Sequence, residues 1–159
     1  MNRMQHGETA GKGSHYRRLL AMTVLSFLSM YVLMYAMVNA FDNVYPNHNQ
    51  FYMAGLMTAP MIIIELVLMG GMYPDKKRNG LIIAVSVVAL IVFWVCIRQQ
   101  AAISDRQFLK SMIPHHAGAI LMCEQSPSTD PEIQRLCQGI VSSQREEIAW
   151  MKSKLEAEN

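Results

Sequence analysis

Charge is scarce in this chain. Only 16% of its 159 residues are Asp, Glu, Lys or Arg, against 52% that are hydrophobic, whereas a soluble domain is about a quarter charged. Much of the apolar content is therefore expected in lipid. The formal net charge of +2 comes from basic residues scattered between loops and helix surfaces, which excludes a nucleic-acid-binding footprint. Cysteine is sparse as well: Cys96, Cys123 and Cys137 are too few and too irregularly spaced for a disulfide framework or a paired Cys-x-x-Cys zinc ribbon. No Ser-His-Asp arrangement, phosphate loop or Glu-bearing zinc motif occurs, so neither an enzyme nor an organic cofactor is expected. Internal repeats, strand patterns and low-complexity tracts are missing too. Methionine is the exception, with 14 in the chain.

Residues 1–18 are polar, contain glycine and carry Arg3, Lys12, Arg17 and Arg18, which reads as a short flexible cytoplasmic tail. Residues 19–41 hold no charge before Asp42, and a helix of that length reaches the roughly 30 Å of a hydrocarbon core. Val38, Asn39 and Ala40 resemble a signal-peptidase site, but the apolar stretch before them exceeds the roughly 7 to 15 residues of a signal h-region, so an uncleaved anchor is expected. Residues 51–73, interrupted by Pro60 and Glu65, and residues 81–97 form the second and third spans. Residues 19–98 thus make a three-helix transmembrane region. Lys and Arg stay on the cytoplasmic side, and they crowd the tail and the Lys76 to Arg78 turn while the Asp42 to Gln50 loop has none. This puts the N-terminus in the cytoplasm and residues 99–159 outside. In a bacterium that is the periplasmic side of the inner membrane.

The remaining residues read as an extracytoplasmic helical hairpin. Ser104 and Gln107 form a capping box, and Phe108, Met112, His115, Ala119 and Met122 then recur at helical spacing to about Glu124. After a turn at Ser126 to Asp130, Asp130 and Pro131 supply the cap and first position of a second helix. Its inner face is traced by Ile133, Cys137, Ile140, Gln144, Ile148, Met151 and Leu155. The fold class is all-α.

The sharpest chemical feature is the run Met112, Ile113, Pro114, His115, His116, followed by Met122 and Cys123. Thioether, imidazole and thiol donors then share one helical stripe, and such soft donors suit copper(I). Pro114 frees the carbonyl of Lys110 and is expected to kink the helix, turning both rings inward. Pairing Glu124 with Pro131 across the turn sets Gly139 opposite His116, leaving room for a ring or an ion. The same register offsets Cys123 and Cys137 by about five residues, or roughly 7 Å. With 8 to 10 Å between axes, this is beyond the roughly 7 Å Cα limit of a disulfide. Free thiols are expected, as soft ligands or as small buried hydrophobes. A plainer reading also fits: the histidines are a surface pair and the methionines fill core gaps. Gln144, with Glu147 close by, either hydrogen-bonds a histidine or fixes helix register.

In the second span Met53, Met57, Met61, Glu65 and Met69 fall every fourth residue. Packing is the default role for such methionines, but an ionisable Glu65 in mid-membrane is costly and usually functional. This supports an alternative in which the histidines collect metal for an intramembrane path through a transporter subunit.

Phe108 to Ala119 (FLKSMIPHHAGA), Met122, Leu136, Gln144, Glu147, Ile148 and Met151 resemble the "domain of unknown function 305" family of bacterial proteins over about the last third of the chain. The resemblance implies a ferritin-like helical bundle and periplasmic binding of copper(I) or silver(I) through methionine and histidine in metal resistance. Carried over by motif position, it marks Met112, His115, His116, Met122 and Met151 as ligands. Longer members repeat the His-His hairpin, and here it occurs once. A lone hairpin buries one interface and is marginal, so a homo-oligomer completing the half-bundle is expected. Paired Glu-x-x-His motifs for di-iron chemistry are missing. The expected function is membrane-anchored copper(I) or silver(I) sequestration, or hand-over to a copper efflux or chaperone protein. The rivals are the transporter subunit and an interaction module in which the histidines serve packing or pH sensing.

Overall fold

The computed structural model describes residues 4–157, with side chains from residue 14 onward. Among the described residues five α-helices follow one another: α1 Met4–Leu33, α2 His48–Leu68, α3 Lys76–Gln99, α4 Asp105–Glu124 and α5 Pro131–Ala157. Two short 3-10 turns, Met34–Met37 and Phe41–Asn43, lie between α1 and α2. No strand occurs among the described residues, so the chain is all-α as its periodicity predicts. It forms two compact units. One is Phe51–Ala101 with the chain up to Tyr31, and the other is Val32–Gln50 with Ala102 onward.

The first unit carries the membrane-crossing character. Ser14–Met37, His48–Leu68 and Lys76–Gln99 are each long and apolar enough to cross a membrane. Their limits differ from the expected ones for local reasons. The stretch expected as a flexible tail is helical from Met4, because extending an existing helix costs far less than nucleating a new one. The first apolar stretch tightens into a 3-10 turn and stops at Met37 instead of reaching residue 41. The second stops at Leu68, where Gly70 and Gly71 leave the chain in turns. The third starts at Lys76, five residues early, because Asp75 is its N-cap: Oδ1 accepts from the backbone N–H groups of Lys77 and Arg78 at 3.1 and 3.0 Å.

Small residues let these helices approach. Ala54, Gly55, Thr58 and Ala59 are buried along α2, while Leu20, Val24 and Leu25 of α1 and Val85, Val88 and Ile91 of α3 are exposed, as lipid contact requires. A Cβ at Gly55 would collide with the ring of Phe93. That ring also packs edge-on against Phe51, with centroids 6.1 Å apart. Gly55→Val therefore displaces an aromatic cluster and is expected to cost about 1 to 3 kcal/mol. Loss of helical signal with temperature in detergent micelles checks it, and an unchanged melting curve would refute it.

The second unit is built on α4 and α5, with a third layer that the sequence pattern did not reveal. Leu109, Ile113, Ala117 and Ile120 of α4 meet Ile148, Met151 and Leu155 of α5 in a buried core, and Val38 and Tyr45 of the connection between α1 and α2 pack against it. Phe108, His115 and Met122, expected on the inner stripe, are exposed instead. Two apolar stripes interleave on α4, and the added contact with the 32–50 segment decides which is buried. On α5, Ile148, Met151 and Leu155 face inward as expected, whereas Ile133 is exposed.

Asn47 ties this layer together. It caps α2, its Oδ1 accepting from the N–H of Gln50 at 2.8 Å. Its Nδ2 donates to the carbonyl of Tyr45 at 2.9 Å and to that of Lys110 at 3.4 Å. The Lys110 carbonyl is the one left without an N–H by Pro114, so the proline inside an unbroken α4 is answered from the connecting segment. Gln107 Oε1 accepts from the N–H of His48 at 3.1 Å. Thus Ser104 caps α4 as expected, through the N–H of Gln107 at 3.4 Å, while Gln107 turns outward to the segment. Asn47→Ala removes a helix cap and the Lys110 bond together, at an expected cost of about 1 to 2 kcal/mol. Asn47→Ser keeps the cap alone and should recover roughly half of the lost thermal stability in the same melting experiment.

Candidate metal site

His116 is the focus of the second unit. Its side chain is only 12% exposed, and its Nδ1 lies 3.0 Å from Glu147 Oε2 of α5. The contact is not a hydrogen bond, and Nδ1 is a buried nitrogen without a hydrogen-bond partner. Such an atom is costly unless something else satisfies it. Burial pushes the His116 pKa below its ordinary 6.5; His115 adds to the lowering and Glu147 opposes it. The ring is therefore kept neutral, the form that ligates metals. Gln144 Nε2 reaches Glu147 Oε2 at 3.4 Å, so Gln144, Glu147 and His116 form a chain of polar contacts across the helix interface.

One helical turn from each end of this contact stands a methionine. Met112 precedes His116 by four residues on α4 and packs against the core, and Met151 follows Glu147 by four on α5 and is buried within it. Imidazole and two thioethers are thus placed one turn apart along two packed helices. Among the described residues no three His, Cys, Asp or Glu side chains come together.

The other sequence-selected residues lie apart. His115 is exposed, its ring centroid 6.0 Å from that of His116. Adjacent residues on a helix point about 100° apart, so the two rings cannot both face α5, contrary to the expectation from Pro114. Met122 is exposed. Gly139 is exposed rather than opposite His116, and a side chain there would meet nothing within 4 Å. Cys123 and Cys137 are not free thiols: they form a disulfide, with Cα atoms 5.0 Å apart. The register differs from the expected one because the 125–130 connection does not double back tightly. Ser128 and Asp130 N–H groups bond to Ser126 and Ser128 hydroxyls, both at 3.3 Å, and this arc lets the first turn of α5 pass the end of α4. Cys137 then arrives beside Cys123 and Glu147 beside His116.

In the membrane unit Met53, Met57 and Met69 are exposed, Met61 is half-buried, and the half-buried Glu65 accepts from the Tyr73 hydroxyl at 3.1 Å. The chain break between α3 and α4 is also clear: Gln100 and Ala102 have φ of 49° and 55°, so the third span and the hairpin are not one helix.

The fold and site define an all-α protein with three membrane-length helices and a histidine-bearing hairpin. The family model described as Domain of unknown function (DUF305) matches residues 97–155. Uncharacterized protein L153 of Acanthamoeba polyphaga mimivirus is 36% identical over 141 residues, covering 87% of this chain and 91% of that protein. The chain belongs to the DUF305 family. Its likeness to the viral protein extends beyond the family domain into the membrane-length helices. No solved structure matches it.

Proposed function

We propose that this protein is a membrane-anchored binder of copper(I), and by the same soft chemistry of silver(I), which sequesters the ion or hands it to an efflux or chaperone protein. The observation that carries the reading is the buried, neutral His116 whose Nδ1 has no hydrogen-bond partner, with Met112 and Met151 one turn away on the two helices. Imidazole and thioether donors select copper(I) over harder ions. Glu147 supplies counter-charge beside the ring, and Gln144 bonds to Glu147. His115 and Met122, exposed on the same helix, suit capture of the ion or its transfer to a partner.

The basic residues beside the membrane helices favour an orientation with the N-terminus in the cytoplasm and the hairpin outside, which in a bacterial inner membrane is the periplasmic face. Exposed Ile133 and Leu136 on α5 favour association with a second copy. The intramembrane path gains no support, since Met53, Met57 and Met69 turn outward where lipid would lie. The test is a copper(I) titration of the full-length protein in detergent against a competing chelator, beside the His115→Ala/His116→Ala double variant. Tight binding lost in the variant supports the proposal. Equal competition by both proteins refutes it and leaves an interaction module, in which the histidines affect only packing.

A further inference from the structure

The copper(I) reading leaves the Cys123–Cys137 disulfide without a role. That bond joins the last turn of α4 to the second turn of α5, helices already held together by the Ile113, Ile120 and Ile148 core. It is not sealed inside that core. Both cysteines line an open cavity of about 660 Å³, whose walls also carry Ser126, Ser142, Glu124, Arg145 and Glu146. The Arg145 guanidinium sits 2.6 Å from the carboxylate of Glu124, the residue next to Cys123. Paired in this way, the guanidinium keeps further N–H groups with which to donate to a carboxylate on an incoming molecule. Hydroxyl groups, a guanidinium and two carboxylates around an accessible disulfide offer partners to the amides, the carboxylate and the ammonium of a short peptide bearing a thiol.

We propose that Cys123–Cys137 is an exchange-active pair that takes electrons from a small peptide-like thiol seated in this cavity. The thiolate of the ligand attacks one of the two cysteine sulfurs, the Cys123–Cys137 bond breaks, and the other cysteine leaves as a thiolate that is then protonated. A second ligand thiolate attacks the ligand sulfur of the mixed disulfide, releasing the oxidised ligand dimer and the second cysteine. Two electrons and two protons pass from two ligand thiols to Cys123 and Cys137. The pair does not depend on His116, so its failure leaves the copper(I) reading intact.

The test uses the full-length protein in detergent with reduced glutathione as probe. Alkylation and intact mass count the thiols that appear beyond the free Cys96. The expected rate saturates with glutathione, as a seat requires, and falls at least about tenfold in Ser142→Trp, which fills the cavity, while Ser143→Trp, outside it, reacts like wild type. In Cys137→Ser, where Cys123 is left as a thiol, oxidised glutathione should place a glutathione adduct on Cys123 and release one reduced glutathione. If Ser142→Trp melts early, Gln138→Trp on the same wall replaces it. A rate linear in glutathione and equal in all tryptophan variants would overturn the proposal. So would reduction only at denaturant concentrations that melt the helices, since both results describe a structural staple.

Discussion

Replacing His116 by alanine should weaken copper(I) binding at least about a hundredfold, beyond the 10- to 100-fold typical of losing a residue that merely supports a ligand. The same change at His115 should weaken it by less than about tenfold. The asymmetry follows from geometry: His116 is nearly buried, lies against Glu147 and has methionines within a turn on both helices, while His115 faces solvent. Glu147→Gln keeps the shape but removes the charge beside the ring, so its expected effect lies between the two, at roughly 10- to 100-fold. Competition against a copper(I) chelator measures all three. Equal effects of His115→Ala and His116→Ala would mean that the buried ring is not the privileged ligand.

The same residue sets a pH dependence whose sign can be worked out. Burial holds the folded His116 pKa below its ordinary 6.5, so on acidification the unfolded chain takes up the proton first. The unfolded state then binds more protons than the folded one, and stability falls as pH falls. His116's contribution is complete above about pH 6.5 and is lost as pH drops towards the folded pKa. Copper(I) affinity should weaken over the same window, because the protonated ring is not a ligand. Melting curves between pH 7.5 and pH 5 check it, with His116→Gln expected to flatten the dependence.

Ile113→Ala should be the most damaging conservative change in the hairpin. Ile113 is fully buried, at 0% exposure, where α4 meets α5, and truncating such a side chain costs about 2 to 5 kcal/mol through lost burial and the cavity left behind. Leu136→Ala, at 62% exposure, should change stability by less than about 0.5 kcal/mol in the monomer. Chemical denaturation followed by helical signal compares them. A large effect at Leu136 that grows with protein concentration would show that this face is covered by a second copy. A small effect at Ile113 would contradict the core described above.

The membrane-length helices and the hairpin were legible because hydrophobic run length, caps and the 3.6-residue period are local properties. Ser104, Asp130 and Pro131 mark helix ends by their own hydrogen-bonding and dihedral preferences, whatever lies across from them. Asp75 carries the same kind of signal for α3, directly before the basic residues Lys76 to Arg78. The chemistry of the Met-x-x-His-His run was legible too, since donor softness belongs to residue type.

Which of those donors meet depends on rotation and register, and neither is local. A shift of one residue turns a helix face by about 100°, so choosing between the interleaved stripes of α4 needed the contacts of Val38 and Tyr45 from a segment more than sixty residues away. The arc of the 125–130 connection slid α5 along α4, which joined Cys123 to Cys137, brought Glu147 to His116 and left Gly139 in solvent. Residue types and local periods settled the elements and the kind of site. Only tertiary packing decided which histidine is buried, because burial is a property of pairs of surfaces.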